Sequence, residues 1–170
     1  MCFFFINYAF NHKIITGEIM KRFTRLFLPL LLCVFFGTVF YMVSSGEAKD
    51  YPSVFLNPPS FVFPIAWTIL YILIGVSIYL FDKLELSKEE NDQGVILYYF
   101  DLFFNSTWTL LFFKLKLRVF SCFWLGALVL IALIRFFVMK KKNKISAYLL
   151  LPYIMWLMFA LYLNIAIVLV

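Results

Sequence analysis

Five long stretches almost free of charge constrain this chain more than any other feature: Leu26–Gly46, Tyr51–Phe81, Gln93–Phe113, Val119–Met139 and Ile145–Val170. The third carries only Asp101 and the fourth only Arg135, while the other three carry no charge. Crossing a hydrocarbon core about 30 Å thick takes roughly 20 mostly apolar helical residues, so each stretch is long enough to span a bilayer. Backbone polar groups in lipid must be satisfied by the chain itself, which leaves helices or a closed barrel. Uninterrupted apolar runs lack the period-2 alternation of barrel strands. The pattern predicts an all-α integral membrane protein, a five-transmembrane-helix bundle with helices near 26–46, 61–81, 93–113, 119–139 and 146–170. All five belong to one domain, 26–170, preceded by an N-terminal segment, 1–25.

Composition enters here as an exclusion. The chain is 65% hydrophobic and 14% charged, against roughly 45–50% and about 25% in soluble domains. A core built from 170 residues cannot hide that much apolar surface from water, so a soluble globular enzyme is excluded. The net charge of +6 comes from short basic clusters between the apolar runs, which read as topology determinants and not as a nucleic-acid face. Cys2, Cys33 and Cys122 are odd in number and lack C-x-x-C spacing, so neither a disulfide framework nor a zinc site is expected.

Eleven of the 15 Lys and Arg fall on one side of the alternating spans, including Lys21, Arg22, Arg25 and the Lys140–Lys144 cluster. For insertion into a bacterial inner membrane, the expected location, the positive-inside rule puts that side, with the N-terminus, in the cytoplasm and Val170 outside. The apolar segment Cys2–Phe10 is too short to cross: either it lies at the interface or it precedes the natural start. Met20-Lys21-Arg22 before an apolar run reads as the natural start. That run exceeds the roughly 7–15 residues of a signal-peptide core and no A-x-A site follows, so it is kept as a helix.

No catalytic constellation is present. His12 is the single histidine, so neither a metal site nor a Ser-His-Asp triad can be assembled. No G-x-x-x-x-G-K-S/T loop occurs, which excludes ATP-driven transport by this chain alone. Nothing in the sequence requires a cofactor.

Polar and aromatic groups inside the spans are expensive and usually face a bundle interior. Asp101, Asn105, Trp108 and Phe112 recur at four, three and four residues, one face of the third helix. Trp156, Ala160, Leu163 and Asn164 do the same in the fifth, with Ala160 leaving room beside the indole. Either the two asparagines glue neighbouring helices, an interaction averaging under about 1 kcal/mol in membranes, or the two faces oppose one another across a cavity. In the second helix, Asn57-Pro58-Pro59-Ser60 precedes Phe61-Val62-Phe63-Pro64, and Ser60 is a candidate cap. Trp67, Leu70, Tyr71, Ile74 and Gly75 then form a face, with Gly75 allowing close helix approach. Asp101 either senses protons or reaches interfacial water, Arg135 is expected to snorkel toward Lys140, and Cys122–Gly126 is a small-x-x-x-small pair suited to packing.

Together these residues resemble the TspO family, the tryptophan-rich sensory proteins related to mitochondrial translocator protein. The resemblance rests on Pro58-Pro59, Phe63-Pro64, Trp67, Leu70-Tyr71 and Gly75. It continues through Asn105, Trp108 and Phe112-Phe113, and through Pro152-Tyr153, Trp156, Phe159-Ala160 and Leu163-Asn164. It implies a five-helix bundle, usually a homodimer, with a pocket in each protomer that takes porphyrins or other apolar small molecules. Carried over by position, Phe61, Trp67, Tyr71, Asn105, Trp108, Trp156, Ala160, Leu163 and Asn164 would line or support that pocket. A flat tetrapyrrole suits such walls, since rings stack on it while a few polar groups orient it. The implied function is a sensor or carrier, with a porphyrin-degrading enzyme using Trp108 or Trp156, or a proton-coupled transporter using Asp101, as alternatives.

Four departures from the family pattern qualify this. Phe61 stands where a tryptophan linked to light-dependent porphyrin breakdown is common, so binding without that reaction is expected. Trp124 occupies a position that is often acidic. The Gly46–Asn57 loop is short, and the residues after Asn164 lack the Tyr and Arg of the cholesterol motif of animal relatives, so sterol transport does not carry over. The orientation is directly testable: a periplasm-dependent reporter fused after Val170 should be active, and the same reporter inserted within Lys140–Lys144 should be silent.

Overall fold

The computed structural model describes residues 17, 19–35, 55–56, 58–59, 61–84 and 86–170. Within them the chain is helical: α1 (19–35), α2 (Val62–Asp82), α3 (Lys88–Thr109), α4 (Arg118–Lys140), α5 (Lys144–Tyr148) and α6 (Leu151–Leu169). A π-helical turn, Leu110–Lys114, prolongs α3. Cys2, His12, Ser60, the Cys2–Phe10 segment, most of the 46–57 loop and the end of the first span lie outside the described residues.

Four of the helical stretches are long and apolar enough to cross a membrane: Val62–Asp82, Lys88–Lys114, Arg118–Lys140 and Lys144–Leu169. They match the second to fifth spans expected from charge-free runs. The boundaries differ for identifiable reasons. The first helix already includes Lys21, Arg22 and Arg25, because a helix continues past the hydrocarbon edge whereas a count of uncharged residues stops there. For α3 the start falls at Lys88, not near residue 93, because Ser87 and Glu90 form a capping box. The Ser87 hydroxyl accepts from the Glu90 N–H, and the Glu90 carboxylate accepts from the Ser87 N–H, each at 3.3 Å. The last span is two helices in sequence: Pro152 cannot donate a backbone N–H, so the ladder breaks at Leu149–Leu150 and restarts with proline in the first turn of α6. Asn143 caps α5, its side-chain oxygen accepting from the Ile145 and Ser146 N–H groups. No cap comes from a side chain at the start of α2, where Phe61 is the first flanking residue.

Short connections make successive spans antiparallel neighbours. In the bundle α4 packs on α3, α5 and α6, while α2 packs on α3, α5 and α6. Small residues set the closest approaches. At Gly75 of α2 a Cβ would run into the Leu26 carbonyl of α1, and at Gly94 of α3 it would run into the ring of Phe81, which is fully buried. Ser77 donates to the Ser146 carbonyl at 2.7 Å, joining α2 to α5. Arg25 donates to both carboxylate oxygens of Asp82 at 2.8 Å, joining α1 to the end of α2. The outward faces carry Ile69, Phe103, Phe123, Leu130, Ile134, Phe137 and Met155, all exposed in the isolated chain. Such a surface is tolerable only against lipid.

The two glycines with opposite surroundings give a paired test by thermal unfolding in detergent. Gly75→Ala, facing rigid backbone, should cost about 1–3 kcal/mol. Gly126→Ala, with nothing near its missing Cβ, should be neutral or gain up to about 1 kcal/mol of helix propensity.

Candidate functional site

Three helices bring their tryptophans together. Trp67 of α2 lies 6.5 Å from Trp108 of α3 and 6.4 Å from Trp156 of α6, the latter edge-on at 88°. Tyr71, one turn beyond Trp67, is 5.7 Å from it, and Phe63 meets Trp156 at 5.9 Å. On α3 Phe112 stacks on Trp108 at 5.8 Å and 23°. Phe112 sits in the π turn, whose Leu115 N–H bonds back to the Leu110 carbonyl. The turn ends at Lys114, and, two residues on, Lys116 takes a left-handed φ of 54° that terminates the helix. Each ring pair at such distances is worth about 0.5–1.5 kcal/mol beyond burial.

The other expected site residues divide by position. Asn105, Ala160, Leu163 and Asn164 are buried on α3 and α6, as the helical spacing requires. Phe61 is exposed at the start of α2 and makes none of the ring contacts of the cluster. A groove of about 490 Å³ runs between α2 and α6, lined by Ala66, Ile69, Leu70, Pro152, Met155, Trp156 and Phe159. Trp156 is the only expected site residue on its wall, so this residue belongs both to the groove and to the ring cluster.

The polar atoms of the region are unevenly satisfied. Asn105 Nδ2, Trp108 Nε1, Trp156 Nε1 and both side-chain polar atoms of Asn164 are buried without a hydrogen-bond partner among the described residues. Buried polar groups left unpaired cost about 1–3 kcal/mol each, and these four residues on α3 and α6 carry that cost, as do Ser106, Ser146 and Arg135. Trp124 behaves differently. Its indole donates to the Phe104 carbonyl at 3.0 Å and its ring stacks on that of Phe104 at 4.3 Å and 16°. The residue at the often-acidic family position is thus a packing element between α4 and α3.

Both lone intramembrane charges are placed otherwise than expected. Asp101 neither reaches interfacial water nor stands free: its side chain is 1% exposed and bonded by Arg135 at 2.7 Å and by the Tyr153 hydroxyl at 2.8 Å. Arg135 does not snorkel toward Lys140; its side chain is wholly buried and lies over the Tyr98 ring at 5.1 Å. Snorkelling is favoured when the charge has water within reach and no partner inside, and here a carboxylate on the adjacent helix supplies the partner. One Asp and one Arg, each alone in its own span, were the sequence signal for this pair. Lys142 of the α4–α5 turn forms a further ion pair with Glu90 of α3, at the helix ends.

The fold and this interior define a class: a multi-pass helical membrane protein whose bundle interior gathers tryptophans and unpaired amides from three spans. Comparison with known proteins places it further. The TspO/MBR family matches residues 26–170, and the chain belongs to that family. It is 31% identical over 108 residues to the tryptophan-rich protein TspO of Chlorobaculum tepidum, an alignment covering 64% of this chain and 68% of that protein. It is 35% identical over 114 residues to the protein of the same name from Archaeoglobus fulgidus, covering 66% and 72%. A tryptophan-rich sensory protein of Cereibacter sphaeroides is 34% identical over 113 residues, covering 64% and 66%.

The buried ion pair yields a stability prediction. Arg135→Leu leaves Asp101 without its countercharge and should cost about 3–5 kcal/mol, read as a lowered unfolding midpoint in detergent.

Proposed function

We propose that this protein binds a porphyrin or a similar flat apolar molecule among α2, α3 and α6, and acts as a sensor or carrier in the bacterial inner membrane. One observation carries the reading. Trp108 and Trp156 converge on Trp67 with their own N–H groups unspent, and the amide nitrogen of Asn105, one turn before Trp108, is unspent as well. Rings offer broad stacking area at little entropic cost, and a few donors fix the orientation of a guest that carries acceptor atoms. Membership of a family that includes a tryptophan-rich sensory protein supports the same reading. Phe61, exposed where an indole would be needed, supports binding without light-driven breakdown.

Titration of the purified protein with protoporphyrin should quench tryptophan fluorescence saturably. Trp156→Ala and Asn105→Ala should each weaken binding about tenfold, equivalent to about 1.4 kcal/mol, whereas Trp124→Phe should leave it within about twofold of the wild type. Absence of saturable quenching, or equal affinity in all four proteins, removes the proposed site. Illumination of the complex should bleach the porphyrin no faster than in free solution; faster loss would favour an enzyme.

A further inference from the structure

The inference rests on the reading above and concerns three buried side chains behind the site, which would not touch its guest. We propose that Asp101, Arg135 and Tyr153 form a positioning clamp that fixes the rotation of α3 and α6, and thereby the facing of Asn105, Trp108 and Trp156.

The clamp takes one group from each of three helices. Arg135 of α4 donates to one carboxylate oxygen of Asp101 on α3, and Tyr153 of α6 donates to the other, at 2.7 and 2.8 Å. All three side chains are buried, so none of the three has water as a substitute partner. Asp101 precedes Asn105 by four residues and Asn105 precedes Trp108 by three; Tyr153 precedes Trp156 by three. At these spacings the clamp and the site share one face of each helix and lie one turn apart. Rotating α3 or α6 by even a third of a turn would carry Asp101 or Tyr153 off its partner and strand a charge or a hydroxyl in a lipid-embedded interior.

Apolar packing alone specifies rotation weakly here, because lipid accepts one apolar face of a helix as readily as another. The face of α6 opposite the clamp shows this ambiguity, since Met155, Met158 and Tyr162 are exposed large side chains of the same general kind as those inside. A directional hydrogen bond to a carboxylate has no such ambiguity. Nor does the arrangement end at the three residues: Arg135 lies on the Tyr98 ring, and the Tyr98 hydroxyl donates to the Arg25 carbonyl of α1 at 2.8 Å. Asp101, Arg135 and Tyr153 are positioning residues in this account, acting on a guest only through Asn105 and the tryptophans.

The test separates position from stability. The double variant Asp101→Leu/Arg135→Leu removes both charges together and so leaves no naked ion; Tyr153→Phe removes one hydroxyl and keeps the ion pair. Far-ultraviolet circular dichroism should match the wild type for both. The tryptophan emission spectrum and its quenching by acrylamide, recorded without porphyrin, should change in both and more in the double variant. Protoporphyrin affinity should fall at least tenfold in the double variant and about threefold in Tyr153→Phe. Wild-type emission and affinity in helical, folded variants would overturn the clamp, and so would unchanged affinity alongside changed emission. Should the double variant fail to fold, Tyr153→Phe decides by the same readouts. If the wild type binds no porphyrin, the proposed function falls, and the ligand-free emission still decides whether the clamp sets the indoles.

Discussion

A carboxylate and a guanidinium held together away from water organise this bundle. Taking two ions out of water costs several kcal/mol each, and their attraction at short range offsets this only when the geometry is good and the remaining atoms find partners. Asp101 meets that condition, with one oxygen on Arg135 and the other on Tyr153. Arg135 meets it in part: one nitrogen is spent on Asp101, the Tyr98 ring faces the cation, and its Nε and Nη2 have no partner among the described residues. The pair is therefore better understood as a constraint than as a net source of stability. Separating α3 from α4 exposes two charges to hydrocarbon, at about 2.5–3.5 kcal/mol for each on the insertion scale. That penalty confines the helices to one arrangement in a solvent where apolar contacts alone would allow several.

Around this constraint the two ends of the bundle are packed with different kinds of side chain. Toward the Lys140–Lys144 end, contacts run through small groups: Gly94 under Phe81, Ser77 against the Ser146 carbonyl, and buried Ala147. Ion pairs Arg25–Asp82 and Lys142–Glu90 tie the same end together. Toward the start of α2 the packing runs through rings, with Phe63, Trp156, Trp67, Trp108 and Phe112 linked in that order by successive contacts. Tyr162 closes this side by donating to the Phe55 carbonyl at 2.8 Å, which fastens the segment before α2 to the far part of α6. Small residues let backbones approach closely, as Gly75 and Gly94 do here.

Much of this was legible from the chain. Length of uncharged run located the second to fifth spans, and a 3.6-residue period put Asn105, Trp108, Trp156 and Asn164 on inward faces. What escaped was whatever depends on two segments at once. Neither Asp101 nor Arg135 is informative alone, since a single intramembrane charge can snorkel, titrate or pair, and only the register between α3 and α4 decides which. The π turn at Leu110–Lys114 escaped because no residue type in Leu-Leu-Phe-Phe-Lys demands it. Pro152 lies inside a charge-free run that reads as one helix, and the break it causes falls before it, at Leu149–Leu150, because the carbonyl it cannot serve lies a turn earlier.

Trp124 sharpens what distinguishes a tryptophan that builds the fold from one available to a guest. Its N–H is spent on a backbone carbonyl and its ring lies flat on Phe104, so both its polar and its apolar surfaces are used within the chain. Trp108 and Trp156 are embedded as deeply among aromatic rings, but each keeps its N–H unspent among the described residues. An indole is an expensive choice for mere filling, since phenylalanine would supply ring area without a donor to leave unpaired. The same reasoning applies to Asn105 and Asn164, where leucine would pack without penalty. Trp124, Ser77 and Tyr153, by contrast, spend their polar groups on neighbouring helices. At Trp108 and Trp156 the cost of an unpaired donor coincides with a cluster of rings drawn from three helices, and it is on this coincidence that the proposed ligand is placed there.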